Sequence, residues 1–142
     1  AEAMDFAFPS YRSIENSINK ALLKNVLISN GFACAKGGIF TRGNLPIPDS
    51  IEYPVIIKPT NSSGSRGVVL CKTTEDFIRS IDEVFLESND EILIEEYLEG
   101  DEISVEALVY NKKVKILQIT DKVITKPPYN VEICQIQPSI CI

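Results

Sequence analysis

Two short β-branched runs separated by a polar segment constrain this chain more than any other feature. The first run is Val55-Ile56-Ile57, bounded by Pro54 and Pro59, and the second extends from Val68 to Cys71. β-Branched residues bounded by proline or glycine favour strands. The sequence therefore predicts two strands that flank one polar loop, Asn61 to Gly67.

The composition of this loop is compatible with phosphate binding. Closely approaching backbone N–H groups and a cation bind phosphate well, and the loop has Lys58 just before it and Arg66 inside it. An ordinary glycine-rich hairpin with a solvated lysine is the alternative, and the segment alone leaves both interpretations open. The loop lacks the Gly-Lys-Ser/Thr of a P-loop and the Gly-x-Gly-x-x-Gly spacing of a dinucleotide site.

An acidic segment follows a third predicted strand, Ile92 to Ile94. It contains Glu95, Glu96 and Glu102, whose carboxylates can accept hydrogen bonds from the adenine amino group or from ribose hydroxyls. By itself such a charge run is typical of a solvated turn. Its position one helix beyond the polar loop is what favours a role in nucleoside binding.

Apolar periodicity predicts two helices. The first should begin at Ser13 and end before Gly31, and its apolar positions are Ile14, Ile18, Leu22 and Val26. The second should begin after Thr73, which can cap it. The expected apolar face of the second helix consists of Phe77, Ile78, Ile81, Val84 and Phe85.

Strands account for most of the remainder. A short strand is predicted near Ile39 and Phe40. Alternation from Ile103 to Val109 and the Asn111-Lys112 turn predict a β-hairpin, followed by a weak strand at 131–136. The elements together predict an α+β fold.

Composition excludes several classes of function. A formal net charge of −6 argues against nucleic-acid binding, and no apolar run approaches the roughly 20 residues that span a bilayer. The four cysteines form no Cys-x-x-Cys pair, so reduced thiols and a cytoplasmic location are expected. Because histidine is absent, any chemistry must use carboxylates, lysines, backbone amides or a bound metal.

The order of these features resembles the ATP-grasp superfamily, especially its carbamoyl-phosphate synthetase large-subunit and biotin carboxylase-like branch. A lysine that ends a strand, a Ser/Gly loop, a strand, a helix, another strand and then Glu-x-Tyr-Leu-x-Gly-x-Glu-Ile-Ser-Val-Glu carry the resemblance. It covers residues 18 to 140, and the two motifs together are far more specific than either one.

The resemblance implies contacts with the phosphates of ATP. Lys58 matches the lysine that reaches the α- and β-phosphates, and Lys20, which follows Asn19, matches a second phosphate-contacting lysine. A lysine on a helix surface is the ordinary alternative for Lys20. The loop that folds over the triphosphate is matched by Ser63, Gly64, Ser65, Arg66 and Gly67.

The resemblance also implies contacts with the nucleoside. Glu95 matches the acceptor of the adenine amino group, and Glu102 matches the acidic residue that holds the ribose hydroxyls. The hinge whose backbone meets the adenine edge corresponds to Glu96, Tyr97 and Leu98.

The domain organisation that follows from the resemblance has four parts. Residues 1–12 are interpreted as a linker or a remnant of expression, and 13–34 as a helix that precedes the lid. Residues 35–97 correspond to a complete α/β lid lobe, and 98–142 to the beginning of an antiparallel base lobe. We therefore expect the chain to be a fragment that does not catalyse and that self-associates through uncovered apolar surface.

In the family, ATP phosphorylates a carboxylate or bicarbonate, and an amine-type nucleophile then displaces phosphate from the acyl phosphate. The magnesium ligands implied by the resemblance, a Glu and a later Glu-x-Asn, are expected beyond Ile142. A nucleotide-binding module that transfers nothing is the alternative, and an α+β interaction domain with an incidental glycine loop is the third. The substrate acid and nucleophile do not follow from the sequence.

Overall fold

The computed structural model describes residues 8–125 and 132–142 and divides the chain into two compact units. The first unit extends to Tyr97 and the second begins at Leu98. Helices and antiparallel strands occur together, which confirms the predicted α+β class. Most of the predicted linker, residues 1–7, and Val131 of the predicted last strand lie outside the described residues.

The predicted single helix from Ser13 is wrong, because two helices occupy this region. Helix α1 is Tyr11–Ile18 and helix α2 is Lys20–Ser29. Asn19 separates them in an extended conformation, and its side-chain oxygen accepts hydrogen bonds from the N–H groups of Ala21 and Leu22 at 2.9 and 3.1 Å. An asparagine that caps the next helix in this way ends the previous one, a signal that the apolar spacing alone does not contain.

The first sheet contains four antiparallel strands. They are β1 (Gly37–Phe40), β2 (Val55–Pro59), β3 (Val69–Cys71) and β4 (Ile92–Glu96), in the order β1-β4-β2-β3. Two 3-10 turns, Arg42–Asn44 and Pro48–Ser50, connect β1 to β2. β4 therefore lies in the interior of the sheet with β2 beside it.

Helix α3 (Thr74–Leu86) packs against this sheet. The Thr73 side chain accepts a hydrogen bond from the Asp76 N–H at 3.2 Å, as the capping prediction requires. The core contains Val55, Ile57, Cys71, Phe77, Val84, Phe85, Ile92 and Ile94. The placement of Ile78 on the apolar face is wrong, because its position on the helix leaves it 58% exposed.

The second sheet consists of β5 (Glu102–Tyr110), β6 (Lys113–Ile124) and β7 (Glu132–Ile136), in sequence order and antiparallel. Asn111 and Lys112 form the predicted turn between β5 and β6, with φ of +48° and +61°. Positive φ at both central residues is typical of the tight hairpin turn that matches strand twist. Among the described residues, no helix is both long and apolar enough to cross a membrane.

Candidate functional site

Three charged side chains meet at the sheet of the first unit. Glu95 of β4 receives Lys24 on Oε1 at 2.7 Å and Lys58 on Oε2 at 2.5 Å. The side chains of Lys24 and Glu95 are 5% and 10% exposed, whereas that of Lys58 is 26% exposed. The cluster Lys24–Glu95–Lys58, the lysine–glutamate triad, therefore combines two buried charges with one that solvent can reach.

Strand register brings Lys58 and Glu95 together. Ile56 is paired with Glu95, and Lys58 is paired with Leu93. Paired residues share a face of the sheet and side chains alternate along each strand, so Lys58 and Glu95 are diagonal neighbours on one face. The third member comes from α2, where Lys24 also donates to the carbonyl of Ala35 at 2.6 Å.

The electrostatics of the triad keep Glu95 ionised. Burial by itself would raise the pKa of Glu95, but hydrogen bonds from Lys24 and Lys58 and their charges lower it below the ordinary value. An opposite charge within hydrogen-bond distance favours the charged form of a carboxyl group more strongly than burial disfavours it here.

Lys20 lies at the junction of α2 and the polar loop. Its backbone N–H donates to the Thr60 carbonyl at 2.8 Å, and its ammonium group donates to the Ser62 carbonyl. Burial and, next, the charge of Lys58 lower the pKa of Lys20. Lys20 therefore connects the start of α2 to the base of the loop.

The loop between β2 and β3 contains several residues in the left-handed conformation. Ser65, Gly64 and Gly67 all have positive φ, and the Ser62 hydroxyl donates to the Arg66 carbonyl at 2.9 Å. A Cβ on Gly67 would lie 2.8 Å from a Pro59 side-chain atom, so glycine is needed there for both space and conformation. The predicted residues 63–67 thus lie in one loop, and Lys20 is bonded to the base of that loop at Thr60 and Ser62.

The hinge residues Glu96 and Tyr97 use their backbone N–H groups inside the protein. Glu96 donates to the Lys36 carbonyl at 2.8 Å, and Tyr97 donates to the Pro54 carbonyl at 3.1 Å. The Glu96 carboxylate accepts from the Lys36 N–H at 2.7 Å. A purine edge that meets this hinge at Glu96 or Tyr97 would therefore find their carbonyl oxygens rather than their N–H groups.

Leu98 and Glu102 belong to the second unit. Leu98 is 64% exposed, and Glu102, at the beginning of β5, accepts a hydrogen bond from Lys122 at 3.1 Å. Lys122 also lies 3.6 Å from Glu132, and its hydrogen bond with Glu102 raises its pKa. The first unit contains the other predicted site residues, which are Lys20, Lys58, residues 63–67, Glu95, Glu96 and Tyr97.

Sequence reasoning missed Lys24. Its one available signal is helical spacing, because Lys24 follows Lys20 by four residues and four-residue neighbours share a helix face. Ala21 and Lys24 are the buried residues of α2. A lysine in an apolar context was indistinguishable from a solvated one until the position of Glu95 was known.

The part of the chain that the structure describes contains no cluster of metal-ligating side chains. No group of three or more Asp, Glu, His or Cys side chains there could hold a metal ion. Magnesium in nucleotide sites is usually bound by one or two carboxylates together with substrate phosphates, so ATP itself would have to complete such a site.

Comparison with known proteins gives matches over most of the chain. The sequence model of the ATP-grasp domain family matches residues 51–141. The D-alanine–D-alanine ligase of Geobacter sulfurreducens is 30% identical over 91 residues, which are 63% of this chain and 28% of that protein. The phosphoribosylamine–glycine ligase of Synechocystis sp. is 30% identical over 111 residues, 75% of this chain and 26% of that protein. The chain thus spans just over a quarter of the length of these relatives.

Solved structures are similar over nearly the whole chain. The biotin carboxylase domain of the Hydrogenobacter thermophilus 2-oxoglutarate carboxylase, solved with MgADP, ADP and bicarbonate, has a TM-score of 0.78 at 24% identity. That match covers 99% of this chain and 34% of the other, and it shows a shared fold. The L-amino acid ligase from Bacillus licheniformis has a TM-score of 0.76 at 26% identity, covering 93% of this chain and 30% of that one.

Proposed function

Since the chain belongs to the ATP-grasp domain family, we propose that it is the ATP-binding part of a ligase that activates a carboxylate or bicarbonate as an acyl phosphate. An amine-type nucleophile then displaces the phosphate. The relatives are ATP-grasp ligases by family and name, which supports the general class. Their names do not single out the carbamoyl-phosphate synthetase branch, and membership of that branch stays a prediction.

The observation that carries the proposal is the position of two lysines beside one glycine-containing loop. Lys58 is the last residue but one of β2 and remains partly exposed, and Lys20 contacts the base of the loop through Ser62. A triphosphate needs cations and closely approaching backbone groups. In our proposal Lys20 and Lys58 bind phosphate oxygens, and residues 63–67 cover them.

In our proposal the nucleoside contacts come from the end of β4 and the chain segment that follows it. Glu95 would accept the adenine amino group, and the carbonyl oxygens of the hinge at Glu96 and Tyr97, with Leu98 next to them, would meet the base edge. Glu102 would accept the ribose hydroxyls. The ionised state of Glu95 supports its role, because a carboxylate is a stronger acceptor than a carboxylic acid.

The chemistry asked of these residues is binding and orientation. ATP supplies the phosphoryl group, and phosphoryl transfer depends mainly on positioning and charge neutralisation rather than on a histidine base. Magnesium use by the whole protein and its cytoplasmic location stay predictions.

Titration with a non-hydrolysable ATP analogue, measured by calorimetry, tests the proposal. We expect Lys58→Ala and Glu102→Ala to weaken binding, Lys58→Ala by roughly 10- to 100-fold because one charge-assisted hydrogen bond is lost. Lys72→Ala and Glu99→Ala are matched controls at exposed positions of the two units and should bind as the unsubstituted chain does. Unchanged affinity in both Lys58→Ala and Glu102→Ala would sink the residue assignment.

A further inference from the structure

Lys24 is a buried charge to which the proposed ATP contacts give no role. Its side chain is 5% exposed, and it donates to the carboxylate of Glu95 and to the carbonyl of Ala35. Burying an ammonium group costs several kcal/mol unless its partners compensate. A methionine or leucine would fill the same volume at no such cost, so the charge itself needs an explanation.

We propose that Lys24 is a positioning residue that holds Glu95 in place and thereby lets Lys58 exchange from Glu95 to a phosphate group. This inference rests on the proposed function, since it names the residue that supports its adenine and phosphate contacts. Lys24 does not contact the nucleotide in this arrangement. It acts through Glu95.

The unequal exposure of the two lysines determines which one exchanges. Lys58 is 26% exposed, so its ammonium group can turn towards a ligand in solvent. Lys24 is enclosed and fixed by a second acceptor, the Ala35 carbonyl at 2.6 Å. Lys24 is therefore the permanent partner of Glu95, and Lys58 is the exchangeable one.

Lys24 lowers the cost of that exchange. If Lys58 were the sole partner of Glu95, its departure would leave a buried carboxylate unpaired, which is strongly unfavourable. With Lys24 on Oε1, the carboxylate stays neutralised after Oε2 is released. The freed oxygen can then accept the adenine amino group, because a carboxylate has acceptor sites on both oxygens.

The first arm of the test uses no nucleotide and measures the pKa of Glu95 by carboxyl carbon NMR. The charged groups that face Glu95 are Lys24 from α2 and Lys58 from β2, with Lys20 next to Lys58. We expect Lys24→Met to raise the pKa of Glu95 by one unit or more. Lys24→Arg should keep it low, and Lys72→Met, at an exposed position of the same unit, should leave it unchanged. An unaltered Glu95 pKa in folded Lys24→Met would overturn the proposal.

The second arm measures binding of the non-hydrolysable ATP analogue and of adenosine to the same variants. We expect Lys24→Met to weaken analogue binding by about tenfold or more, because Glu95 then retains Lys58 and the phosphates lose that contact. Adenosine has no phosphate, so its binding should weaken by less. Equal affinity of the analogue for Lys24→Met and for the unsubstituted chain would refute the positioning role. Absence of analogue binding by the unsubstituted chain would instead refute the proposed function, while the NMR arm still decides whether Lys24 controls Glu95.

A measurement on the unsubstituted chain covers the case in which Lys24→Met does not fold. With the analogue bound, Lys58 should no longer form an ion pair with Glu95. Lys24 alone should then keep the Glu95 pKa below its ordinary value of 4.5. A Glu95 pKa above that value in the complex would show that Lys24 does not suffice, which contradicts the proposal.

Discussion

The two units bury different kinds of side chain, although both are built on antiparallel sheets. The first unit buries an apolar cluster between its sheet and α3, and it holds the lysine–glutamate triad on the opposite face of that sheet. In the second unit, the buried residues among those described are the polar pair Thr120 and Asp121. Asp121 accepts hydrogen bonds from Ser139 and from the Ile140 N–H.

The two units therefore fix the positions of their residues by different kinds of contact. In the first unit, side-chain packing and ion pairs fix the positions of the site residues. In the second unit, backbone pairing fixes the strands while apolar residues such as Val105, Val109 and Val114 remain at least half exposed. Substitutions in the first unit should therefore change mainly the free energy of unfolding. Substitutions on the exposed strands of the second unit should change mainly self-association.

The largest expected effect comes from removing the charge at the centre of the triad. Glu95→Gln leaves the ammonium group of Lys24 buried without a carboxylate, and we expect a loss of about 3 to 5 kcal/mol in the free energy of unfolding. Urea denaturation followed by circular dichroism measures it. Glu106→Gln, an exposed position on β5 in the second unit, is the control and should change stability by less than about 0.5 kcal/mol. Equal stability of the two variants would contradict the comparison.

A glycine of the first unit gives the next effect in size. Gly37 of β1 has φ of +141°, and a Cβ there would lie 2.1 Å from the Ile94 carbonyl oxygen of β4. Gly37→Ala should therefore cost about 3 kcal/mol through strain and a backbone clash. Gly100→Ala in the second unit meets nothing within 4 Å and should cost little. Thermal unfolding of both variants measures this difference. Similar midpoints would contradict the prediction that Gly37 must be glycine and Gly100 need not be.

The sequence predicted the strand pattern of both units because β-branched runs, turns and caps are local signals. Thr73, the Asn111-Lys112 turn and the two strands around the polar loop were all found in this way. The break at Asn19 was missed because a capping asparagine inside an apolar period resembles an ordinary helical residue. Ile78 was misplaced because helical spacing does not say where an apolar face ends.

The site was predictable only as a set of residue types along the chain. Lys58 and Glu95 could be named from their motifs, but their contact depends on the register of β2 against β4, which no local signal contains. Lys24 was missed because its burial results from packing between α2 and the sheet. The three-dimensional partnership of the triad is therefore a property of tertiary structure.

Acidification gives a smaller effect that separates the triad from the rest of the first unit. The pKa of folded Glu95 is lowered, so its stabilising contribution is fully present above the unfolded value of about 4.5 and is lost as the pH falls through the folded value. We expect the urea midpoint to decrease below pH 4.5, and to decrease less in Glu95→Gln. Parallel pH profiles for the two proteins would rule out Glu95 as a source of the acid sensitivity.

The smallest effect on stability, and the one that most sharpens the contrast, concerns the exposed apolar face of the second sheet. Val109 is opposite Val114 in the hairpin, and both are about two-thirds exposed; among the described strands of this sheet, β5 is one of the two at the edges. Apolar residues on an exposed edge favour pairing with another chain, and lysine opposes it. Val109→Lys should leave the free energy of unfolding nearly unchanged and reduce self-association.

Light scattering at increasing concentration measures the oligomeric state, and Ile78→Lys is the matched control. Ile78 is 58% exposed on α3 of the first unit, where the backbone is already hydrogen-bonded within the helix and offers no edge. We expect Ile78→Lys to associate as the unsubstituted chain does, because exposure alone does not provide a strand to pair with. Equal reduction by both variants would assign association to general hydrophobicity, and a monomeric unsubstituted chain at high concentration would remove the prediction altogether.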